Sequence, residues 1–395
     1  MYRIGEEELA ELAKVIAGRN LHRRGDPALG HQQEVDRFER EWAELIGAQY
    51  ALCMTGGGTA AIMCALAALG IGPGDEVIVP AYTWMATASA VLSVGAIPVI
   101  AEVDETLGLD PNDVQRLLSR NTRALIPVHM AGRPADLDAL VAIARREGLF
   151  LVEDACQADG GSYKGRHVGS FGDVGAFSFN DFKIMTCGEG GALVTNDRTL
   201  YDRARIYHDG LTGFPAFEAD LTVDPFVGLQ FRASELMGAV LRVQLQRLPG
   251  ILSDLRRIGR RFDVELSGEP NLRPAPSNDP EGDCRQVAAY QFKSESLARA
   301  FASGEGVSGW LPIDTGRHVY SNWTALLEGR VGHHPDWNAL THPKNKGLRS
   351  HYTADMCPRS LDILSRTVYI SLNPDWGETK VAERIEACRR AARKL

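Results

Sequence analysis

No uninterrupted apolar run in this 395-residue chain reaches the roughly 18 residues that a membrane span requires. No lysine/arginine block is longer than local pairs such as Arg23-Arg24, and the formal net charge is −8. These absences argue against a membrane and against nucleic acid as partners. Cysteine is sparse and irregular: seven residues, at 53, 64, 156, 187, 284, 357 and 388, with no C-x-x-C pair. An odd, scattered set reads as reduced thiols rather than a disulfide scaffold or a zinc cage, and no metal is expected. Neither G-x-G-x-x-G nor G-x-x-x-x-G-K-[ST] occurs, which counts against a dinucleotide or ATP site. Internal repeats and low-complexity tracts are also lacking. The partners expected are small molecules or protein.

What is present is an ordinary globular composition, 44% hydrophobic, enough for one large core or two smaller ones. The opening "MYRIGEEELAELAKVIAG" spaces Leu9, Leu12, Ala13 and Ile16 at helical intervals. That predicts an amphipathic helix rather than a signal peptide, and so a cytosolic protein. Strands are predicted at 76–80 (EVIVP), 97–104, 124–130 (ALIPVHM), 149–155 (LFLVEDA), 175–179 (GAFSF) and 191–195 (GALVT). Helices at 59–69 and 136–148 each end at a glycine. Strands apolar on both faces, alternating with helices, indicate an α/β fold with a largely parallel sheet covered on both sides. A helix over 234–248 is expected to break at Pro249-Gly250, and a domain change is placed near residue 250. The polar stretch 267–283 reads as a surface connection, and the remainder holds a strand at "VAAYQFK" and a closing helix.

Ligands in such sheets bind beyond the carboxyl ends of the strands, which singles out four segments. Lys183, in "SFNDFKIMTCGEGG", is either a lysine snorkelling from the surface or an amine nucleophile able to form a Schiff base. Asp154, closing the strand in "VEDACQADG", is either a cap or ion-pair partner or the carboxylate that keeps a pyridinium nitrogen protonated. Gly57, Gly58 and Thr59 in "TGGGTAAIMCAL" form either a tight turn or a phosphate cradle at a helix start. Trp84 in "PAYTWMAT" is either core or a stacking face.

With these segments the chain resembles the DegT/StrS family of sugar aminotransferases dependent on pyridoxal 5′-phosphate (PLP), of the aspartate aminotransferase superfamily, fold type I. The resemblance is densest in "VEDACQADGGSYKGRHVGSFGDVGAFSFNDFKIMTCGEGGALVTND" and covers nearly the whole chain. It implies a large domain over 1–250, with a mainly parallel seven-stranded sheet and the N-terminal helix, and a smaller α+β domain over 251–395. It implies Lys183 as the Schiff-base lysine, Asp154 on the pyridine nitrogen and Gln157 on the cofactor ring or its phenolic oxygen. Ser178, Gly58 and Thr59 would hold the phosphate, and Trp84 would stack on the ring. The stretch "GLQFRASELMGAVLRVQL" resembles the one with which a neighbouring subunit completes the phosphate site, which implies a homodimer with shared sites. Gln230 stands there in place of the usual asparagine, and Asn180 stands where many members have histidine.

The activity implied is transfer of an amino group from glutamate or glutamine to a keto sugar or ketocyclitol, through the aminated cofactor, pyridoxamine 5′-phosphate. "PVHMAG" resembles the version in cyclitol aminotransferases and aminohydroxybenzoate synthases, which points to specialised, antibiotic-type or cell-surface sugar biosynthesis. Tyr82, His129 and Asn180 are the candidate substrate contacts, His129 being equally a structural strand-end residue. Segment 310–355, with "RHVYSNW", reads as a polyol or nucleotide site or as polar surface. The competing readings are a lysine-retaining lyase or synthase of the same family, a non-catalytic sensor, and a nicotinamide oxidoreductase, the last disfavoured by the missing fingerprint.

Overall fold

The computed structural model describes residues 3–212, 214, 220–334 and 336–395. The chain starts with α1 (Glu6–Gly18) and α2 (Glu34–Ile46), then alternates β1 (Tyr50–Met54), α3 (Gly57–Ala68), β2 (Glu76–Pro80), α4 (Ala86–Ser93), β3 (Ile97–Ala101), α5 (Pro111–Leu117), β4 (Thr122–Leu125), α6 (Leu137–Glu147) and β5 (Phe150–Asp154). A small hairpin, β6 (Ser162–Tyr163) and β7 (Arg166–His167), precedes β8 (Val174–Ser178), β9 (Gly191–Thr195), α7 (Arg198–His208) and the long α8 (Glu235–Glu265). The main sheet has seven strands in the order β1-β9-β8-β5-β4-β2-β3. Its pairs are parallel from β3 across to β8, and β9 is antiparallel to both of its neighbours. A second, antiparallel sheet follows in the order β10-β11-β13-β12, from β10 (Arg273–Pro274), β11 (Val287–Gln291), β12 (Gly309–Trp310) and β13 (Thr367–Ser371). Helices α9 (Glu295–Ala302), α10 (Thr324–Leu327), α11 (Pro358–Ser365) and α12 (Glu378–Ala392) accompany it.

Local chemistry accounts for these elements. Every residue of β2, EVIVP, is buried, as expected of a β-branched strand lying inside a parallel sheet with both faces covered. The sequence of α3, GGTAAIMCALAA, lacks a polar face, and nine of its residues are buried. Such a helix needs neighbours all round, and α3 packs on α4, α7, β8 and β9. Helix α6 starts where the Asp136 side chain accepts from the Ala139 amide and stops where Gly148 takes φ +65°, the left-handed value that glycine adopts without strain.

Several expectations are corrected. β1 was not among the predicted strands, although its YALCM supplies the seventh strand of the sheet. The strand expected over 124–130 ends at Leu125, because Pro127 has no amide to continue the ladder; the chain stays beside β5 only through the His129 amide to the Asp154 carbonyl and the Asp154 amide to the Pro127 carbonyl. The apolar stripe of α1 faces outward, with Leu9 66% and Ile16 61% exposed. Its inward residues are Val15 and Glu8, and Glu8 is bonded to Gln244 and Arg247 of α8. Met1 and Tyr2 of that predicted segment lie outside the described residues. The stretch 267–283 is not wholly surface, since Leu272, Ala275 and Asp283 are buried.

The helix break at Pro249 does not occur. α8 runs through it, with Leu248, Ile251, Leu252, Leu255, Ile258 and Phe262 buried along one continuous stripe. Packing of that stripe outweighs the roughly 3 kcal/mol that an interior proline costs. Pro249 itself is exposed, so Pro249→Ala should raise stability by about 1–3 kcal/mol, read as a higher urea midpoint. An unchanged or lower midpoint would contradict a regular helix at this point.

Candidate active site

Because β9 runs against both β1 and β8, those two strands point the same way as the rest of the sheet. The carboxyl ends of β1, β2, β5 and β8 therefore open on one edge, where Gly56–Thr59, Ala81–Trp84, Ala155–Asp159 and Phe179–Lys183 follow them. Gly56 and Gly57 take φ +80° and +65°, turning β1 directly into α3. A Cβ on Gly58 would lie 2.3 Å from Cys156 Sγ and 3.2 Å from Ser178 Cβ, so only glycine lets the helix start approach both strand ends. A Cβ on Gly57 would be 3.8 Å from the Ser178 hydroxyl, which places that oxygen beside the first-turn amides. Such amides have no intrahelical acceptor and sit at the positive end of the helix, a ready cradle for a phosphate. Ser178 faces this cradle because its neighbours are held on the other face: Trp42 of α2 meets Phe177 and Phe179 edge-on, with ring centroids 5.0 and 5.3 Å away.

Asp154 is buried at the tip of β5. Its Oδ2 accepts from the Thr87 hydroxyl at 2.7 Å, and its Oδ1 accepts from the Cys156 amide at 3.2 Å. Thr87 donates its single proton to Asp154, so in the 2.8 Å contact between the two threonines Thr83 is the donor. Gln157 accepts from the Ala131 amide through Oε1 at 2.9 Å, and its carbonyl accepts from Gln286. Its side-chain amide nitrogen has no partner among the described residues and remains free to donate.

Lys183 sits half-buried in the loop after β8, its own amide bonded to the Asn180 carbonyl at 3.0 Å. Asn180 shapes this loop: its amide nitrogen bonds both Glu189 carboxylate oxygens at 3.1 Å, and its oxygen accepts from the Phe182 amide at 3.0 Å. The Asn180 side chain is thus engaged within the loop. Asp159 is wholly buried, and neither carboxylate oxygen has a hydrogen-bond partner. Burial pushes its carboxyl well above the usual range, opposed by the charge of Lys183.

The mouth of the cleft is closed by a segment from the other end of the chain. The Thr83 amide donates to the His318 carbonyl at 2.8 Å. The ring of His318 lies 5.2 Å from Trp84 and 6.5 Å from Tyr82, and the Arg317 guanidinium lies 5.7 Å over Trp84. Trp84 is 40% exposed, so it is a wall of the cleft rather than core. Burial, aided by the charges of Lys183 and Arg317, holds the His318 imidazole down at about 4. Tyr82 is buried beneath this wall, its phenol pushed far up by burial and by Tyr369. His129 is corrected to a structural residue: it has no exposed surface, its Nδ1 accepts from the Ala135 amide at 3.1 Å, and its Nε2 meets Glu153 at 3.2 Å. With both ring nitrogens engaged, it offers a substrate nothing. Gln230 is exposed, next to Phe231, whose carbonyl accepts from the Thr55 amide. Within 310–355 only Pro335 lies outside the described residues, and Arg317 and His318 are what reach the cleft. Thr87, which holds Asp154, was missed from sequence; the Thr83/Thr87 spacing at the start of a helix was the available signal.

A family model described as the DegT/DnrJ/EryC1/StrS aminotransferase family matches residues 3–300. The chain is 40% identical over 388 residues to a Micromonospora echinospora protein named as an L-glutamine:3-amino-2,3-dideoxy-scyllo-inosose aminotransferase, covering 97% of this chain and 85% of that one. It is similar in structure to S. venezuelae DesV, solved in complex with a ketimine intermediate, at TM-score 0.78 and 28% identity over 98% of this chain and 95% of that one. It is also similar to 3-amino-5-hydroxybenzoic acid synthase, at TM-score 0.79 and 27% identity over 100% and 98%.

Two outcomes follow from the geometry. Gly58→Ala forces its methyl against Cys156 and Ser178 and should destabilise the fold by about 1–3 kcal/mol, with a larger relative loss of phosphate-ligand affinity, measured by calorimetry. His318 binds its proton more weakly folded than at the ordinary value of 6.5, so its contribution to stability is lost as pH falls from about 6.5 towards 4. The His318 resonances in an NMR titration should accordingly report a neutral ring at pH 6, and a charged ring there would contradict its placement.

Proposed function

The chain belongs to the DegT/DnrJ/EryC1/StrS aminotransferase family, and we propose that it moves an amino group from glutamine or glutamate to a ketocyclitol or keto sugar in specialised biosynthesis. The observation that carries this reading is the meeting, at one sheet edge, of a bare helix start with Ser178, a buried carboxylate held by Thr87, and Lys183. The ketocyclitol is favoured because the M. echinospora relative is named for a scyllo-inosose and for L-glutamine.

The residues fit PLP, the cofactor of this family. The space that a Cβ on Gly58 would fill adjoins the amides and hydroxyl suited to its phosphate, and Asp154 retains lone pairs for a pyridine nitrogen. When bound, PLP supplies an aldehyde that captures amines and a ring that accepts electrons. Lys183 would hold that aldehyde through its amine. With its amine free, Lys183 would be placed to take the proton leaving the donor Cα and to return one to the acceptor carbon, the role of a positioned general base. Asp154 would keep the ring nitrogen protonated, and Thr87 fixes the orientation of Asp154. Trp84 offers its face to the ring, and the free amide nitrogen of Gln157 suits a phenolic oxygen. Arg317 presents a cation at the mouth, suited to the carboxylate of the amino donor. Gln230 is assigned to the phosphate site of a neighbouring subunit in a homodimer, a reading supported by its exposure and by its motif.

Borohydride should fix PLP on Lys183, and the near-visible absorbance of the bound cofactor should vanish in Lys183→Ala; absence of both in the wild type would remove the proposal. Asp154→Ala should keep part of its PLP while losing most turnover, and near-wild-type turnover would free Asp154 of its role. A screen of ketocyclitols and keto sugars with glutamine and glutamate is expected to give amination of a ketocyclitol with glutamine. No transfer from any donor, with PLP still bound to Lys183, would favour a lyase.

A further inference from the structure

The second half of α8 carries a pattern of charge that the active site does not use. Its arginines at 257 and 261 pair with Glu378. The helix's acids in this half are engaged as well: Asp254 with Arg3, Asp263 with Arg285 and Glu265 with Arg261. Arg256 and Arg260 meet no carboxylate. The Arg256 guanidinium donates only to main-chain carbonyls, that of Asp283 at 3.0 Å and that of Gly282 at 3.3 Å, and the Arg260 guanidinium has no partner among the described residues. Like charges four residues apart share one face of a helix and repel, and they stand uncompensated in a chain whose net charge is −8.

Both arginines line a cavity of about 410 Å³ that shares no residue with the site described above. Its apolar side is made by Leu45 of α2 with Leu248 and Leu252 of α8, and His167 of β7 and Ser253 add polar groups. Gly160 lets the loop after β5 lie directly on the helix, since a Cβ there would be 2.6 Å from Leu252 Cδ1. No carboxylate is among the lining groups. His167 Nδ1 lies 3.2 Å from the Gly161 carbonyl, which can only accept, so this nitrogen carries the ring proton and Nε2 is left as an acceptor. The volume falls within the roughly 300–1,000 Å³ of small-molecule sites. We propose that this cavity binds a small phosphate monoester bearing hydroxyl groups. Its phosphate lies on Arg256 and Arg260, a hydroxyl donates to His167 Nε2, and its C–H face rests on the leucines. Guanidinium forks match phosphate oxygens, and the doubly charged group cancels both arginines, where a single carboxylate cancels one and a free polyol neither.

The full-length protein is loaded with PLP, dialysed free of excess, and titrated by calorimetry with glucose 6-phosphate, inositol 1-phosphate and glycerol 3-phosphate. At least one of these esters should bind saturably, with affinity about tenfold lower in Arg260→Ala, the loss expected for one charge-assisted contact, and intermediate in Arg260→Lys. Because Arg260 has no partner in the fold, its replacement probes the cavity without loosening the helix. Free glucose should give no saturable heat, and inorganic phosphate should bind more weakly than the best ester. The proposal is overturned if none of the esters binds, if Arg260→Ala leaves the isotherm unchanged, or if inorganic phosphate binds as well as the best ester. Hydrogen exchange then locates the ester: it should protect the amides of α8 around Arg256 and those of Arg166–His167, whereas protection confined to Gly56–Thr59 would put the ester on the cofactor's phosphate cradle and equally overturn the proposal.

Discussion

The pairing of β9 against the grain of its sheet is the constraint on which the site depends. Antiparallel to both β1 and β8, it makes those two strands parallel to each other although they are far apart in sequence. Their carboxyl ends then open on the edge that β2 and β5 already define. If β1 ran the other way, the glycine turn into α3 would lie on the far side of the sheet from Lys183, and a phosphate held at Gly57 and Gly58 could not sit beside Ser178. Main-chain hydrogen bonds thus bring together side chains that have no contact in the sequence.

Once the segments meet, packing decides which way they face. The edge-on contacts of Trp42 with Phe177 and Phe179 hold those rings on the covered face of β8, and alternation along the strand turns Ser178 to the cleft. The exclusion of a Cβ at Gly58 by Cys156 and Ser178 draws the start of α3 against the ends of β5 and β8. The Thr83–Thr87–Asp154 relay then fixes the carboxylate from α4. Each of these contacts is local and modest, but together they leave the four segments little freedom, as preorganisation of a site requires.

The electrostatics of the cleft are economical in charge. Histidine 318 and the thiols of Cys156 and Cys284 are neutralised by burial, and His129 is locked to Glu153 beneath the floor. Two buried carboxylates follow β5 with different surroundings: Asp154 is engaged by hydrogen bonds, and the oxygens of Asp159 are bare.

Alternation of buried strands and helices and the helix stops at glycine were legible in the sequence, because each follows from short-range chemistry, period and capping; Lys183, Asp154, Gly58 and Trp84 stood out after strands, but each had a structural alternative until the resemblance to a family was added. The uses of polar side chains were not legible. His129 and Asn180 carry the right functional groups for substrate, but only the fold shows that Glu153, Ala135, Glu189 and Phe182 have already engaged them. Pro249 reads as a break, yet a buried stripe on both sides of it carries α8 through. The outward turn of Leu9 and Ile16 depends on Glu8 finding Gln244 and Arg247 across the fold. Arg317 and His318 could not be placed at Trp84 from 233 residues away. Composition and periodicity determined an α/β chain with its candidate site residues after its strands; long-range hydrogen bonds and burial decided which of those side chains the protein has already satisfied, since a donor or acceptor can serve a ligand only where it is still free.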